Sequence, residues 1–164
     1  MSHLFYDSPV GILEIEGTKD GISAIRFVQE RQPDSPDVPV VLTTCAEQLR
    51  EYFTGHRTSF NLKLDLSRAS QFHREVWRLV QAIPYGRTRS YSTIARTLER
   101  PGASRAVGQA NGRNPIPIVI PCHRVIGKNG GLRGYAYGLK IKEALLAIEN
   151  PRRYAHQPDL FEVS

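Results

Sequence analysis

Cys122, His123 and Arg124 follow Pro121 directly and offer the most chemistry in this 164-residue chain. A free thiol is only a few per cent thiolate at neutral pH, yet the thiolate is the nucleophile, so an activated cysteine needs a base or a positive field beside it. His123 is a base and Arg124 a charge. Side chains at i and i+1 diverge along a helix or a strand, so the pair converges only in a turn, and a stiff proline just upstream allows one. The other cysteine, Cys45, reads as a small core hydrophobe, because it shares an apolar helical face with Leu42, Leu49, Tyr52 and Phe53. Metal chemistry has little support. His3, His56, His73, His123 and His156 are scattered, with no C-x-x-C and no H-x-x-x-H. G-x-S-x-G, a phosphate-binding P-loop and a dinucleotide fingerprint are also missing, so neither a metal nor a cofactor is expected.

The elements that must position Cys122 fall into two parts. Leu13 and Ile15 alternate with Glu14 and Glu16, Asp20-Gly21 is a turn, and 22–28 is a second apolar run, which together predict a hairpin. Pro33, Pro36 and Pro39 mark a loop. A helix carrying Cys45 follows and stops at Gly55, and Phe60, Leu62, Leu64 and Leu66 alternate as a further strand. An N-terminal α/β subdomain is therefore expected over 1–66. The second part, 67–150, is mainly helical. Ser70 can cap a helix with the stripe Phe72, Val76, Leu79, Val80 and Ile83. Ser90 can cap a short helix over 91–98, and Ser104 another over 105–111, around a Pro101-Gly102 turn. That pair fits a helix-turn-helix. Its second helix is built from small residues, Ala103, Ala106, Gly108 and Ala110, as though its backbone must approach a surface closely. Val119 and Ile120 suit a short buried strand within a stiff segment bounded by Pro117 and Pro121. Leu139, Ile141, Leu145, Leu146 and Ile148 make a final helix, and 151–164 reads as a loose tail.

Composition narrows the class. The chain is 40% hydrophobic and 23% charged, as in ordinary globular proteins. No apolar run approaches the roughly 18 residues that span a membrane, no signal peptide is visible, and two cysteines make no disulfide framework. A reducing, intracellular setting follows, cytoplasmic and nucleoid-associated if the source is bacterial. The net charge of +6 is unevenly spread: residues 1–82 carry −2 and residues 83–164 carry +8. Between Arg87 and Lys142 stand 11 basic residues and one acid, Glu99, so a polyanion is the natural counterpart.

Pro121-Cys122-His123-Arg124-Val125, preceded by Asn114-Pro115-Ile116-Pro117, resembles the active-site signature of the O6-alkylguanine-DNA alkyltransferases. The resemblance reaches to about residue 150. It takes in Gln48-Leu49-x-x-Tyr52-Phe53-x-Gly55, Phe72-x-x-x-Val76-Trp77, Ile83-Pro84-Tyr85-Gly86, Ser90-Tyr91-x-x-Ile94-Ala95 and Arg105-Ala106-Val107-Gly108. It implies an N-terminal ribonuclease H-like α/β subdomain with a small antiparallel sheet, and a C-terminal winged-helix-like domain. It also implies a monomer that binds double-stranded DNA through the minor groove and flips out an alkylated guanine. The alkyl group then passes irreversibly to Cys122, with no cofactor, because the damaged base carries its own electrophile.

The site residues follow from the same resemblance. His123 would serve as base through a water, with Glu149 polarising it, and Glu149 does lie among the apolar Leu145 and Ile148. Asn114 would hold the turns around the site. Tyr91 would donate to the guanine ring, and Arg105 would fill the space left by the flipped base. The backbones of Cys122 and Val125 would accept from the guanine amino group, the Ala136 N–H would donate to its oxygen, and Tyr135 would wall the pocket. Arg105, Ala106, Gly108, Gln109, Ala110, Arg113 and Arg124 would meet the DNA. Two departures stand out. The zinc ligands of some relatives have no match here, and Tyr137 stands where many relatives have glycine, which would narrow the pocket against bulky adducts. In the tail, Gln157, Leu160 and Phe161 resemble the peptide by which bacterial proteins dock on the replication sliding clamp.

Three other readings compete. A non-catalytic module that only binds alkylated DNA would lack the acceptor cysteine. A helix-turn-helix regulator would carry long polar side chains on its second helix. A cysteine hydrolase would need an oxyanion hole, which nothing in the sequence specifies.

Overall fold

A computed structural model describes residues 1–132 and 134–154. The chain divides into two compact units, one of Met1–Arg68 with Pro115–Val119, the other of Ala69–Asn114 with the described residues from Ile120 onward.

In the first unit, β1 (Ser2–Ser8), β2 (Gly11–Thr18) and β3 (Gly21–Val28) form an antiparallel meander in that order. The β2–β3 hairpin follows the alternation of Leu13 and Ile15, both fully buried. β1 was not legible, because Leu4, Phe5 and Tyr6 are contiguous and do not alternate with polar residues. Its outer edge is covered by the proline loop: Asp34 Oδ1 accepts from the Phe5 N–H at 2.9 Å, and Ser35 pairs with His3 through both backbone and side chain. Such cover blunts a strand edge that would otherwise pair with another chain. The strand expected over 60–66 is only an extended segment with a single parallel bridge, Leu64 to Ile22. Its alternating leucines are half-buried against the edge of β3 and extend no ladder. α1 (Val40–Phe53) packs Leu42, Cys45, Leu49 and Tyr52 on the sheet. Gly55, at φ +79°, closes it: the His56 N–H reaches Glu51 O and the Gly55 N–H reaches Tyr52 O, a Schellman cap.

In the second unit, α2 (Gln71–Gln81) starts on Ser70, whose hydroxyl accepts from the His73 N–H at 3.1 Å. Such a cap contributes about 1 kcal/mol. α3 (Tyr91–Thr97) is capped in the same way by Ser90. α4 (Ser104–Gly112) is not capped by Ser104, which lies inside the helix; Ala103 holds the cap position without a side-chain bond. Val107 and Ala110 of α4 face inward, and Trp77 Nε1 of α2 donates to Ala110 O at 2.8 Å. α3 and α4 form the helix-turn-helix and both pack on α2. The strand expected at Val119 and Ile120 does not form. Both residues are buried, but the chain turns there, with Ile118 at φ +74°. Cys122–Arg124 make a single 3-10 turn. β5 (Val125–Ile126) then pairs in parallel with β4 (Arg89–Ser90). α5 (Leu139–Glu149) is followed by a helical turn, α6 (Pro151–Tyr154), where a loose tail was expected. The peptide carrying Gln157, Leu160 and Phe161 lies outside the described residues. No described helix is long and apolar enough to cross a membrane.

Candidate active site

The chemistry gathers in the second unit, around the 3-10 turn that follows Pro121. Cys122 is 6% exposed and His123 fully buried. The turn is fixed by side chains. Asn111 Nδ2 donates to Cys122 O at 3.2 Å, and Asn114 Nδ2 to Ile120 O at 2.7 Å. These bonds satisfy carbonyls that an irregular buried segment would otherwise leave unpaired.

His123 Nε2 meets Glu149 Oε2 at 2.7 Å. An ionised carboxylate only accepts, so Nε2 carries the hydrogen, and in the neutral ring Nδ1 is the free base. Nδ1 is buried and has no hydrogen-bond partner among the described residues. Glu149 is held by more than the histidine. Arg124 Nε donates to Oε1 at 2.7 Å, Arg124 Nη2 to Oε2 at 3.0 Å, and the Gly86 N–H to Oε1 at 3.3 Å. Gly86 fits only as glycine, at φ +78° and with Glu149 O only 3.2 Å from where a Cβ would stand.

The protonation states follow from burial and partners. Burial pushes the Cys122 thiol up, opposed by hydrogen bonds with Asn114 and Tyr135 and by the charge of Lys142. Burial pushes His123 down, against the pull of Glu149. Burial would raise Glu149, but His123 and Arg124 outweigh it and hold the carboxyl well below the usual carboxylate range. At neutral pH the resting site is thus a neutral thiol, a neutral imidazole and a carboxylate neutralised by Arg124.

The structure therefore brings together Cys122, His123, Glu149, Asn114 and Tyr135. Tyr91 and Arg105 belong to the helix-turn-helix, where the Tyr91 ring lies against Gly108. Arg105, Ala106, Gln109 and Arg113 are exposed on or just after α4, and Gly108 is half-buried. Two residues expected to meet DNA do not face outward. Ala110 is fully buried, its carbonyl taken by Trp77. Arg124 is 5% exposed, and its guanidinium is spent on Glu149 and on Ile83 O at 2.8 Å. The carbonyl expected to bind the guanine amino group at Cys122 already accepts from Asn111 Nδ2 and from the Val125 N–H. The Val125 carbonyl accepts from Lys142 Nζ at 2.8 Å. Ala136 is exposed, and Tyr137 stands edge-on to Tyr135 with centroids 6.1 Å apart.

Lys142 was missed. It is fully buried, and burial lowers its ammonium to about 8 against the pull of Cys122 and Glu143. The only signal was its place in the apolar stripe of α5, one residue after Ile141 and three before Leu145. Among the described residues no group of three or more His, Cys, Asp or Glu could hold a metal ion.

Comparison with known proteins finds matches to both parts of the chain. The ribonuclease-like domain of 6-O-methylguanine DNA methyltransferase matches residues 1–66, and the DNA binding domain of the same protein family matches residues 71–151. A methylated-DNA--protein-cysteine methyltransferase of Mycolicibacterium paratuberculosis is 49% identical over 147 residues, 87% of this chain and 88% of that one. One from Methanosarcina acetivorans is 43% identical over 154 residues, 91% and 98% of the two chains. Among solved structures, Mycobacterium tuberculosis OGT in complex with DNA superposes with a TM-score of 0.83 at 43% identity, covering 96% of this chain and 98% of that one.

Proposed function

The chain belongs to the 6-O-methylguanine DNA methyltransferase family, and from that premise we propose that Cys122 is the cysteine it alkylates. It binds DNA and repairs it directly, moving a methyl group from methylated DNA to a cysteine of the protein. The observation that carries the assignment to Cys122 is the buried relay on the next residue of the same 3-10 turn, His123 Nε2 to Glu149 Oε2 at 2.7 Å.

In this reading the substrate is O6-alkylguanine, with O4-alkylthymine as a related lesion. A monomer approaches the minor groove with Arg105, Ala106, Gly108, Gln109 and Arg113. Ala106 and Gly108 leave little bulk between the α4 backbone and the groove. Arg105 enters the stack as the base leaves it. Flipping costs a few kcal/mol, least for a damaged, poorly paired base. His123 Nδ1 takes the Cys122 proton through a water. The sulfur attacks the alkyl carbon, the carbon–O6 bond breaks, and its electron pair goes to the guanine. Tyr91 and the Ala136 N–H stabilise that charge; Tyr91 passes its own proton to the ring and regains one from solvent as His123 releases the proton taken from Cys122. The thioether has no proton to lose and forms no thiolate, so each molecule acts once.

Arg105→Ala tests the flipping step. Repair of an O6-methylguanine duplex should fall at least about tenfold, because unstacking is no longer compensated, while reaction with the free base is unchanged. Equal losses on the two substrates would remove the wedge role. Tyr137→Gly should raise reactivity toward O6-benzylguanine relative to O6-methylguanine, and an unchanged ratio would remove Tyr137 as the narrowing residue. The tail peptide supports docking on the sliding clamp of a bacterial cytoplasm. A pull-down indifferent to Leu160→Ala with Phe161→Ala would end that reading.

A further inference from the structure

Arg124 follows the nucleophile by two residues, and its guanidinium turns away from solvent into the protein. Nε and Nη2 take both oxygens of Glu149, Nη1 takes Ile83 O, and Cζ lies 5.8 Å from the Tyr85 ring centroid. The Ile83-Pro84-Tyr85-Gly86 segment closes the same cage. Tyr85 OH donates to Ile148 O at 3.3 Å, the Gly86 N–H donates to Glu149 Oε1, and Asn150 Nδ2 donates to Gly86 O. A carboxylate needs no such cage merely to orient one histidine. A two-point guanidinium fork fixes the plane of the carboxylate as well as neutralising it.

We propose that Arg124 is a positioning residue for the proton acceptor: its fork presents Glu149 Oε2 to His123 Nε2 and neutralises enough of the carboxylate that the imidazole stays uncharged and able to take the Cys122 proton. The inference rests on the reading of Cys122 as the acceptor. Among the described residues, the charged and titratable groups facing the pair are few. Glu149, Arg124 and Lys142 act on His123, and His123 and Arg124 act on Glu149, with the Tyr85 phenol beside it. Lys142 itself faces Cys122 and Glu143. Glu149 alone would favour imidazolium; Arg124 and Lys142 oppose it, as does burial.

Two substitutions separate the charge from the fork. Arg124→Met removes both, leaving Glu149 to act on His123 unopposed from that side. The acidic limb of the transfer-rate profile should then move to higher pH by about one unit or more, as expected for unscreened opposite charges in contact. The rate near neutral pH should fall about tenfold and recover on the alkaline side. Arg124→Lys keeps the charge, so the limb should stay in place while the rate drops at every pH. Duplex affinity and its salt dependence should be unchanged in both, whereas a phosphate contact would lower the salt slope by about 1. A limb that does not move in folded Arg124→Met, or a lowered salt slope, overturns the proposal. Should both variants fail to fold, nitrogen chemical shifts of His123 in the parent protein decide. A neutral ring with its proton on Nε2 at pH 7 supports the proposal, and an imidazolium overturns it. A parent protein that gains no methyl group refutes the transfer reading itself, and the shifts of His123 still judge the role of Arg124.

Discussion

Two cysteines are buried in this protein, and burial does not tell them apart. Cys45 is fully buried and Cys122 is 6% exposed. Burial raises both thiols, Cys45 to about 12. The difference lies in what is buried with them. Cys45 stands on α1 among Leu42, Leu49 and Tyr52, and among the described residues nothing opposes the effect of burial on its thiol. Cys122 shares its surroundings with Asn114, Tyr135 and Lys142, each of which favours the thiolate, and the next residue, His123, heads the buried His123–Glu149–Arg124 chain. Taking polar groups out of water costs several kcal/mol for an ion. A protein that assembles this many around one sulfur has directed stability toward chemistry. The lesson is that a buried nucleophile is recognised by its polar company and not by its own exposure.

The comparison can be tested from the largest effect downward. His123→Gln keeps a polar side chain but removes the base, and transfer should slow by about 10²–10⁴-fold in a single-turnover assay while duplex binding persists. A loss below tenfold would leave Cys122 as isolated from catalysis as Cys45. Glu149→Gln should destabilise the fold by about 3–5 kcal/mol in chemical denaturation, since it leaves Arg124 buried without its counter-charge. A change under about 1 kcal/mol would mean that the network is loosely held.

Acid should act in the same direction. His123 and Glu149 are both depressed in the folded state, so the unfolded chain binds the extra protons as pH falls. Their contribution is complete above the ordinary histidine value, declines below about pH 6.5 and declines further below about pH 4.3. Denaturation midpoints should follow that course, and a flat profile between pH 7 and 4 would contradict it. Cys45→Ala should do least, costing about 1 kcal/mol for a small cavity and leaving the transfer rate unchanged.

How much of this was legible in the sequence depended on whether the signal was local. The Ser70 and Ser90 caps, the Gly55 stop and the hairpin at Asp20-Gly21 are set by near neighbours, and they could be read. Ser104 has the same chemistry as those caps, but Ala103 holds the cap position, so residue type alone misplaced that helix start. The alternating leucines at 60–66 and the β-branched pair at 119–120 met tertiary surroundings in which burial, and not a ladder, satisfied them. Arg124 and Lys142 illustrate the same limit within the site. A basic residue in a basic segment reads as surface, and only the fold reveals that one grips Glu149 and the other Val125 O.

The central claim is that one cysteine of the two is chemically competent, and intact mass tests it most directly. After incubation with excess O6-methylguanine duplex, the protein should gain a single methyl group, held on the peptide containing Cys122. The gain should vanish in Cys122→Ala and survive in Cys45→Ala. Unchanged mass despite binding, a methyl group on Cys45, or more than one methyl group removed from DNA per protein molecule would contradict the account.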